Sequence, residues 1–202
     1  MKDRLKFLKL LNEFRSKNYE LEYVIEVLRD AHLDFEVYYR KWCGENNVDL
    51  NKLNEENKRK VDMVFIENKT TKLRARLINQ EMEDKKEDFK KLYKMIAKKL
   101  HPDKLKVDDP RKMEYEEAFK KASNANSSGK WGEMFDVVDK YDIYLGEYGD
   151  AIECLKLDIK RVEEELKKEK SSYSWALHVA ETDVDKAQVV KNFLRQLFGW
   201  KG

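Results

Sequence analysis

Glycine, proline, cysteine and histidine are all scarce in this sequence. Its 202 residues include 7 Gly, 2 Pro, 2 Cys and 3 His. So few glycines and prolines leave few places where a helix is forced to stop. Cys43 and Cys154 stand far apart with no CxxC pair, which excludes a zinc ribbon. Two buried thiols in a reducing compartment are expected rather than a disulfide. His32, His101 and His178 are equally isolated, so no metal cluster and no cofactor is expected. No apolar run reaches the roughly 18 residues of a membrane span. The opening Met1-Lys-Asp-Arg-Leu-Lys-Phe-Leu is broken by charge and lacks a signal-peptide core. The expectation is a soluble, cytoplasmic protein with no membrane partner. A net charge of +2 supplies no strongly basic field, so nucleic acid is not an expected partner.

What the chain does have is charge and regularly spaced apolar side chains. Charged residues make up 41%, hydrophobic residues 41% and aromatics 11%, with a mean hydropathy of −0.85. Such charge can signal disorder. The aromatics fall at helical spacings, however, which predicts long amphipathic helices and an all-α fold. Leu5, Leu8 and Leu11 predict a short first helix, interrupted at 16–18. Leu21, Val24, Ile25, Leu28, Ala31, Phe35, Tyr38 and Trp42 then predict one long helix ending near Gly44. Asp49 is placed to cap a helix carrying Leu50, Leu53, Val61, Val64 and Phe65. A further helix would carry Leu73, Leu77, Ile78 and Met82, and capping-box spacing from Asp84 to Glu87 starts the next. Asp109-Pro110 marks another start, with Tyr115, Phe119, Ala122 and Ala125 as its buried stripe. Trp131, Met134, Phe135 and Val138 mark a short helix. Ile152, Leu155, Ile159, Val162 and Leu166 keep coiled-coil-like heptad steps over fewer than three heptads. They predict a C-terminal helical hairpin with the last helix, capped by Thr182 and carrying Val184, Ala187, Val190, Leu194 and Leu197.

The chemistry concentrates in one short stretch. At about 100° per residue, Phe89, Leu92, Tyr93, Ile96 and Leu100 share one helix face, and Lys90, Lys91, Lys94 and Lys98 fall opposite. Pro102 forbids the helix to continue. His101-Pro102-Asp103-Lys104 is then an exposed polar turn suited to recognition. A His–Asp pair can also serve catalysis, but no nucleophile, orienting group or glycine-rich oxyanion loop accompanies it, so no enzyme is expected. His32 and His178 read as packing or surface residues. The aromatics Phe35, Tyr38, Tyr39 and Trp42, beside Arg40 and Lys41, read as helix core rather than a base-stacking platform.

Residues 93–104, Tyr-Lys-Met-Ile-Ala-Lys-Lys-Leu-His-Pro-Asp-Lys, resemble the second helix and loop of a J-domain. This is the module with which DnaJ-like cochaperones stimulate the ATPase of a DnaK-type chaperone of the heat shock protein 70 family. Ala118-Phe-Lys-Lys-Ala-Ser-Asn-Ala125 resembles its third helix, and the resemblance covers 89–126. It implies an antiparallel helical hairpin with the HPD loop at its tip. It also implies that His101, Pro102 and Asp103 engage the ATPase domain and linker of that partner. Lys90, Lys91, Lys94, Lys98 and Lys104 would face its acidic surface, and nucleotide would belong to the partner. The chain departs from the family in several places. No Tyr-x-x-Leu-Gly signature precedes Phe89, and 71–83 would stand in for that first helix. Met95, Leu100, Ser123 and Asn126 replace the common residues at their positions.

No Gly/Phe-rich linker or cysteine-rich domain follows, so the chain resembles the J-only class, whose flanks supply the targeting; the flanking helices here are expected to bind either a client or a second copy. The stretch Ser171-Ser-Tyr-Ser-Trp-Ala-Leu177, with the helix ending Phe193-Leu-Arg-Gln-Leu-Phe-Gly199, is similar to the tails of J-domain proteins encoded by tailed phages and some bacteria. The expected organisation is an N-terminal helical region at 1–69, a J-domain-like region at 70–144 with its core at 89–126, and a C-terminal helical hairpin at 145–202. Two other readings stand beside it. One is a structural or scaffold protein that docks through the J-like hairpin without stimulating an ATPase. The other is a nucleic-acid-associated protein.

Overall fold

The computed structural model describes residues 2–61, 86–106 and 108–202. Among these the fold is all-α, with no strand. The helices are α1 (Lys2–Glu45), α2 (Leu50–Val61), α3 (Lys86–Leu100), α4 (Lys112–Ser128), α5 (Trp131–Lys140), α6 (Gly149–Lys170), α7 (Tyr173–His178) and α8 (Asp183–Phe198). A 3₁₀ turn, Pro102–Lys104, separates α3 from α4. Among the described residues, no helix is long and apolar enough to cross a membrane. The expected helix with Leu73, Leu77, Ile78 and Met82 lies outside the described residues, as do Val64, Phe65 and the Asp84 cap.

The chain packs into two compact units, each drawn from separated stretches of sequence. The first combines Met1–Tyr19 with Thr70–Glu163, and the second combines Glu20–Lys69 with Glu164–Gly202. Region 70–144 is thus joined in its unit by residues from both sides of it.

In the first unit α1 corrects the sequence reading. The helix runs through 16–18 without interruption. Its buried side chains are Phe7, Leu11 and Phe14, while Leu5 is 63% exposed. Tertiary contacts outweigh the weak local propensity of Ser16 and Asn18. The Arg15 guanidinium donates to Asp136 at 2.7 Å and to Asp139 at 2.9 Å. Phe14 lies over the bare backbone of Gly132. Phe7 meets Phe135 edge-on at 5.4 Å, and Trp131 lies between Phe89 at 4.4 Å and Phe135 at 5.7 Å.

The C-terminal hairpin also differs from expectation. Ile152, Leu155, Ile159 and Val162 are buried as the heptad pattern requires, but so are Ala151, Cys154, Leu157 and Asp158. These positions cover more than half the circumference of α6. A helix buried that broadly is a central element with several neighbours, not one arm of a two-helix hairpin. The stripe up to 163 belongs to the first unit, and α8 belongs to the second.

In the second unit, Val190 and Leu194 of α8 pack with Trp42 and Cys43 of α1, joined by Leu50 and Leu53 of α2. Phe193 meets Phe35 edge-on at 5.0 Å, and Trp200 meets Trp42 at 6.0 Å. Thr182 and Asp49 cap α8 and α2 as their sequence positions predict. Three expected stripe positions do not face the core: Ile25 is 43% exposed, Val184 78% and Leu197 49%. Cys43 and Cys154 are both buried and form no disulfide, and burial raises the Cys43 thiol pKa.

Candidate functional site

Helix α3 is built to stand as one arm of a pair. Glu87 and Asp88 in its first turn and Lys98 and Lys99 in its last complement the helix dipole. Phe89, Leu92, Ile96 and Leu100 are buried, with Leu100 fully enclosed. Helix α4 covers them with Ala118, Ala122 and Ala125, small residues that allow close approach of the backbones. Phe89 at the start of α3 touches Trp131, just beyond the end of α4, while His101 at the other end meets Phe119 within α4. The two helices are therefore antiparallel. Gly129 ends α4 in the left-handed conformation (φ 68°) that glycine adopts most easily. At the other end of α4, Asp109 accepts from the Arg111 backbone and side chain, so the helix begins at Lys112, slightly later than the Asp-Pro signal suggests. The pairing with Arg111 holds the Asp109 carboxyl down to about 2.

The His-Pro-Asp turn sits at the connecting end of this pair. His101 still donates its backbone N–H to Ala97, at 3.0 Å, and then turns extended (φ −59°, ψ 126°), as a residue before proline must. Lys104 N–H returns to the His101 carbonyl at 3.0 Å, closing the 3₁₀ turn. The imidazole packs edge-on against Phe119, with ring centroids 5.1 Å apart. Its Nδ1 accepts from the Asp103 N–H at 3.4 Å and lies 3.5 Å from Asp103 Oδ2. The His101 side chain is 43% exposed and that of Asp103 87%. One group is thus oriented by the fold, and the other is presented to solvent.

The lysines fall into three sets. Lys90 pairs with Glu87 at 2.8 Å and Lys91 with Asp88 at 2.9 Å, both on the exposed surface. Lys94 and Lys98 are exposed and make no ion pair among the described residues. Lys104 folds back onto the Lys98 carbonyl and satisfies an end-of-helix acceptor. Lys99, not singled out from sequence, anchors α3 by donating to the Tyr141 and Asp142 carbonyls at the end of α5.

Sequence reasoning missed the residue that seats α5 beneath the pair. Lys130, at the N-cap of α5, supplies no side-chain cap. Asp158 of α6 caps it from a distance: Oδ2 accepts from Gly132 N–H at 2.6 Å in a buried contact. Oδ1 lies 3.1 Å from Arg161 Nη2 but is angled so that it makes no hydrogen bond. Burial, outweighing Arg161, pushes this carboxyl up to about 6. Only the heptad register placed its neighbours in the core; a charged residue beside them reads as surface.

Of the two other histidines, one serves packing and one lies at the surface. His32 Nδ1 lies 2.7 Å from the buried Ser174 hydroxyl and ties α1 to α7. His178 lies beside Trp175, ring centroids 5.7 Å apart. Comparison of the chain with protein-family models, with curated proteins and with solved structures found no match.

Proposed function

We propose that this protein is a J-domain cochaperone. It binds a DnaK-type chaperone through His101, Pro102, Asp103 and the lysine face of α3, stimulates its ATPase and directs it to a client. The supporting observation is the His-Pro-Asp turn at the tip of an antiparallel helical pair, with Asp103 turned to solvent and with Lys94 and Lys98, on the helix that leads to it, exposed and making no ion pair among the described residues. A carboxylate so exposed contributes little to the fold, and its value lies in a partner. Hydrolysis belongs to the chaperone; this chain supplies charge, shape and a J-like core at 89–126. The helices outside that core carry the targeting.

The test is single-turnover ATP hydrolysis by a DnaK-type chaperone. Stimulation by the intact protein is expected, with a loss of about tenfold or more in Asp103→Asn, because breaking a desolvated charge pair costs about 2 kcal/mol or more. Circular dichroism of the variant should be unchanged. Equal stimulation by both proteins would reject the reading. Binding without stimulation by either would leave the hairpin a docking element of a scaffold protein.

A further inference from the structure

Within the second unit, α1 carries two apolar stripes. One is the core stripe already described. The other faces solvent: Tyr23 is 60% exposed, Leu33 66% and Val37 68%. With Glu26 and Asp30 they form the series 23, 26, 30, 33, 37, whose alternating steps of three and four keep all five on a strip about 80° wide and about 21 Å long. This is the spacing of a helix–helix seam. Large side chains at three of five seam positions are not needed by a face that meets only water.

Charge decides what can cover the strip. Residues 20–39 hold six carboxylates (Glu20, Glu22, Glu26, Asp30, Asp34 and Glu36) and one fixed cation, Arg29. Glu20 is tied to Lys170, Glu26 to Arg29 and Glu36 to Arg40, while Asp30 and Asp34 make no ion pair among the described residues. Anionic lipid and nucleic acid are repelled by such a face. A second copy in parallel register would set Glu26 on Glu26 and Asp30 on Asp30, and in the antiparallel register that aligns 30 with 33 it would press both carboxylates onto Leu33 and Val37; neither seam supplies a cation, and buried carboxylates without one are costly. We infer that this face of α1 is a docking surface for a basic amphipathic protein helix, with apolar side chains on Tyr23, Leu33 and Val37 and lysine or arginine on Glu26 and Asp30. This inference does not depend on the chaperone reading.

The test uses the full chain and dye-labelled peptides of about 18 residues, long enough to span the strip as helices. One peptide has leucines in alternating three and four spacing with lysines elsewhere; the other replaces every lysine with glutamate. Fluorescence anisotropy should show saturable one-to-one binding of the lysine peptide and none of the glutamate peptide. Leu33→Asp with Val37→Asp should weaken binding by about tenfold or more, the equivalent of 1.4 kcal/mol. Asp30→Asn should weaken it less and flatten its salt dependence. Should the double aspartate variant lose helicity, Leu33→Ser with Val37→Ser replaces it. The inference is overturned if the lysine peptide does not bind, if both peptides bind alike, or if the seam variants bind unchanged. It is equally overturned if sedimentation shows a dimer of the free protein that Leu33→Asp dissociates, since a second copy would then cover the face.

Discussion

Asp158 is a carboxylate with no exposed surface, held by one backbone N–H and facing Arg161, Lys130 and Glu133. Its folded pKa of about 6 lies above the ordinary 3.8, so between these values the native state binds more protons than the unfolded chain. Its contribution to stability is therefore fully present below about pH 4 and is lost as pH rises through 6, by up to about 3 kcal/mol. Asp158→Asn keeps an acceptor for Gly132 and removes the charge. The variant should gain stability relative to the parent between pH 4.5 and 7.5, as read from urea midpoints at both values. The difference between the two proteins is the informative quantity: Glu87, Asp109 and Glu114 have lowered pKa values, as does Asp136, where Lys121 and Arg15 outweigh burial, so what they contribute is lost as pH falls through the foot of this window and below it, and the subtraction removes it. Gly132 offers a second test at this scale. A Cβ there would fall 2.4 Å from the Phe14 ring. Gly132→Ala should cost about 1–3 kcal/mol, as overpacking does, and Phe14→Leu in the same chain should return part of it. Additive losses in thermal unfolding would show that the two sites do not touch.

At the level of the helix, the pairing of α3 lysines sharpens what charge reversal should do. Lys90 and Lys91 already make ion pairs with Glu87 and Asp88, whereas Lys94 and Lys98 make none among the described residues. Lys94→Glu with Lys98→Glu should slow association with a DnaK-type chaperone by about tenfold at low salt, an effect that added salt screens. Reversal of Lys90 and Lys91 should do less. Stopped-flow rates at two ionic strengths would separate the pairs, and equal rates for all variants would mean a merely solvated face. The stripe of α3 was legible in the sequence because it buries one clear face, with Phe89, Leu92, Ile96 and Leu100 all enclosed, and the four expected positions of α5 are buried too, joined by Gly132 and Val137. In α4 only half the expected stripe is buried: Ala122 and Ala125 are, but Ala118 takes the place of Tyr115 and Phe119, which are half-buried. The start of α1 was not, because three leucines at 5, 8 and 11 mimic a stripe, whereas the neighbours select Phe7, Leu11 and Phe14. Nor was the role of α6, since heptad spacing describes contact with one partner and α6 has more. In the turn, the order His-Pro-Asp could be read directly. That Phe119 fixes the imidazole and that Lys104 turns back on α3 depend on side-chain geometry that periodicity does not encode.

For the whole molecule, the interleaving of the two units bears on fragments. A fragment of residues 70–144 contains the hairpin and α5 but lacks Phe7, Leu11 and Phe14 from α1, and also Leu155, Asp158 and Val162 from α6. The apolar side of α5, from Trp131 to Val138, would lie open. Such a fragment should show no cooperative urea transition, while the full chain does; a sharp transition in the fragment would show that the hairpin folds alone. The same interleaving sets a timetable for synthesis. Trp42 and Cys43 are enclosed by Val190 and Leu194, and Phe35 by Phe193. About 150 further residues must be added after Trp42 before these late residues arrive, a delay of about 7–30 s at the usual 5–20 residues per second. Throughout that interval the inward stripe of α1, from Leu21 to Trp42, has no permanent cover. A chain that ended before Val190 would keep the contacts of Phe35 with Tyr173 and of His32 with Ser174 but could never complete this cover, so quality-control proteases, rather than loss of any single contact, would decide the fate of late-terminated products.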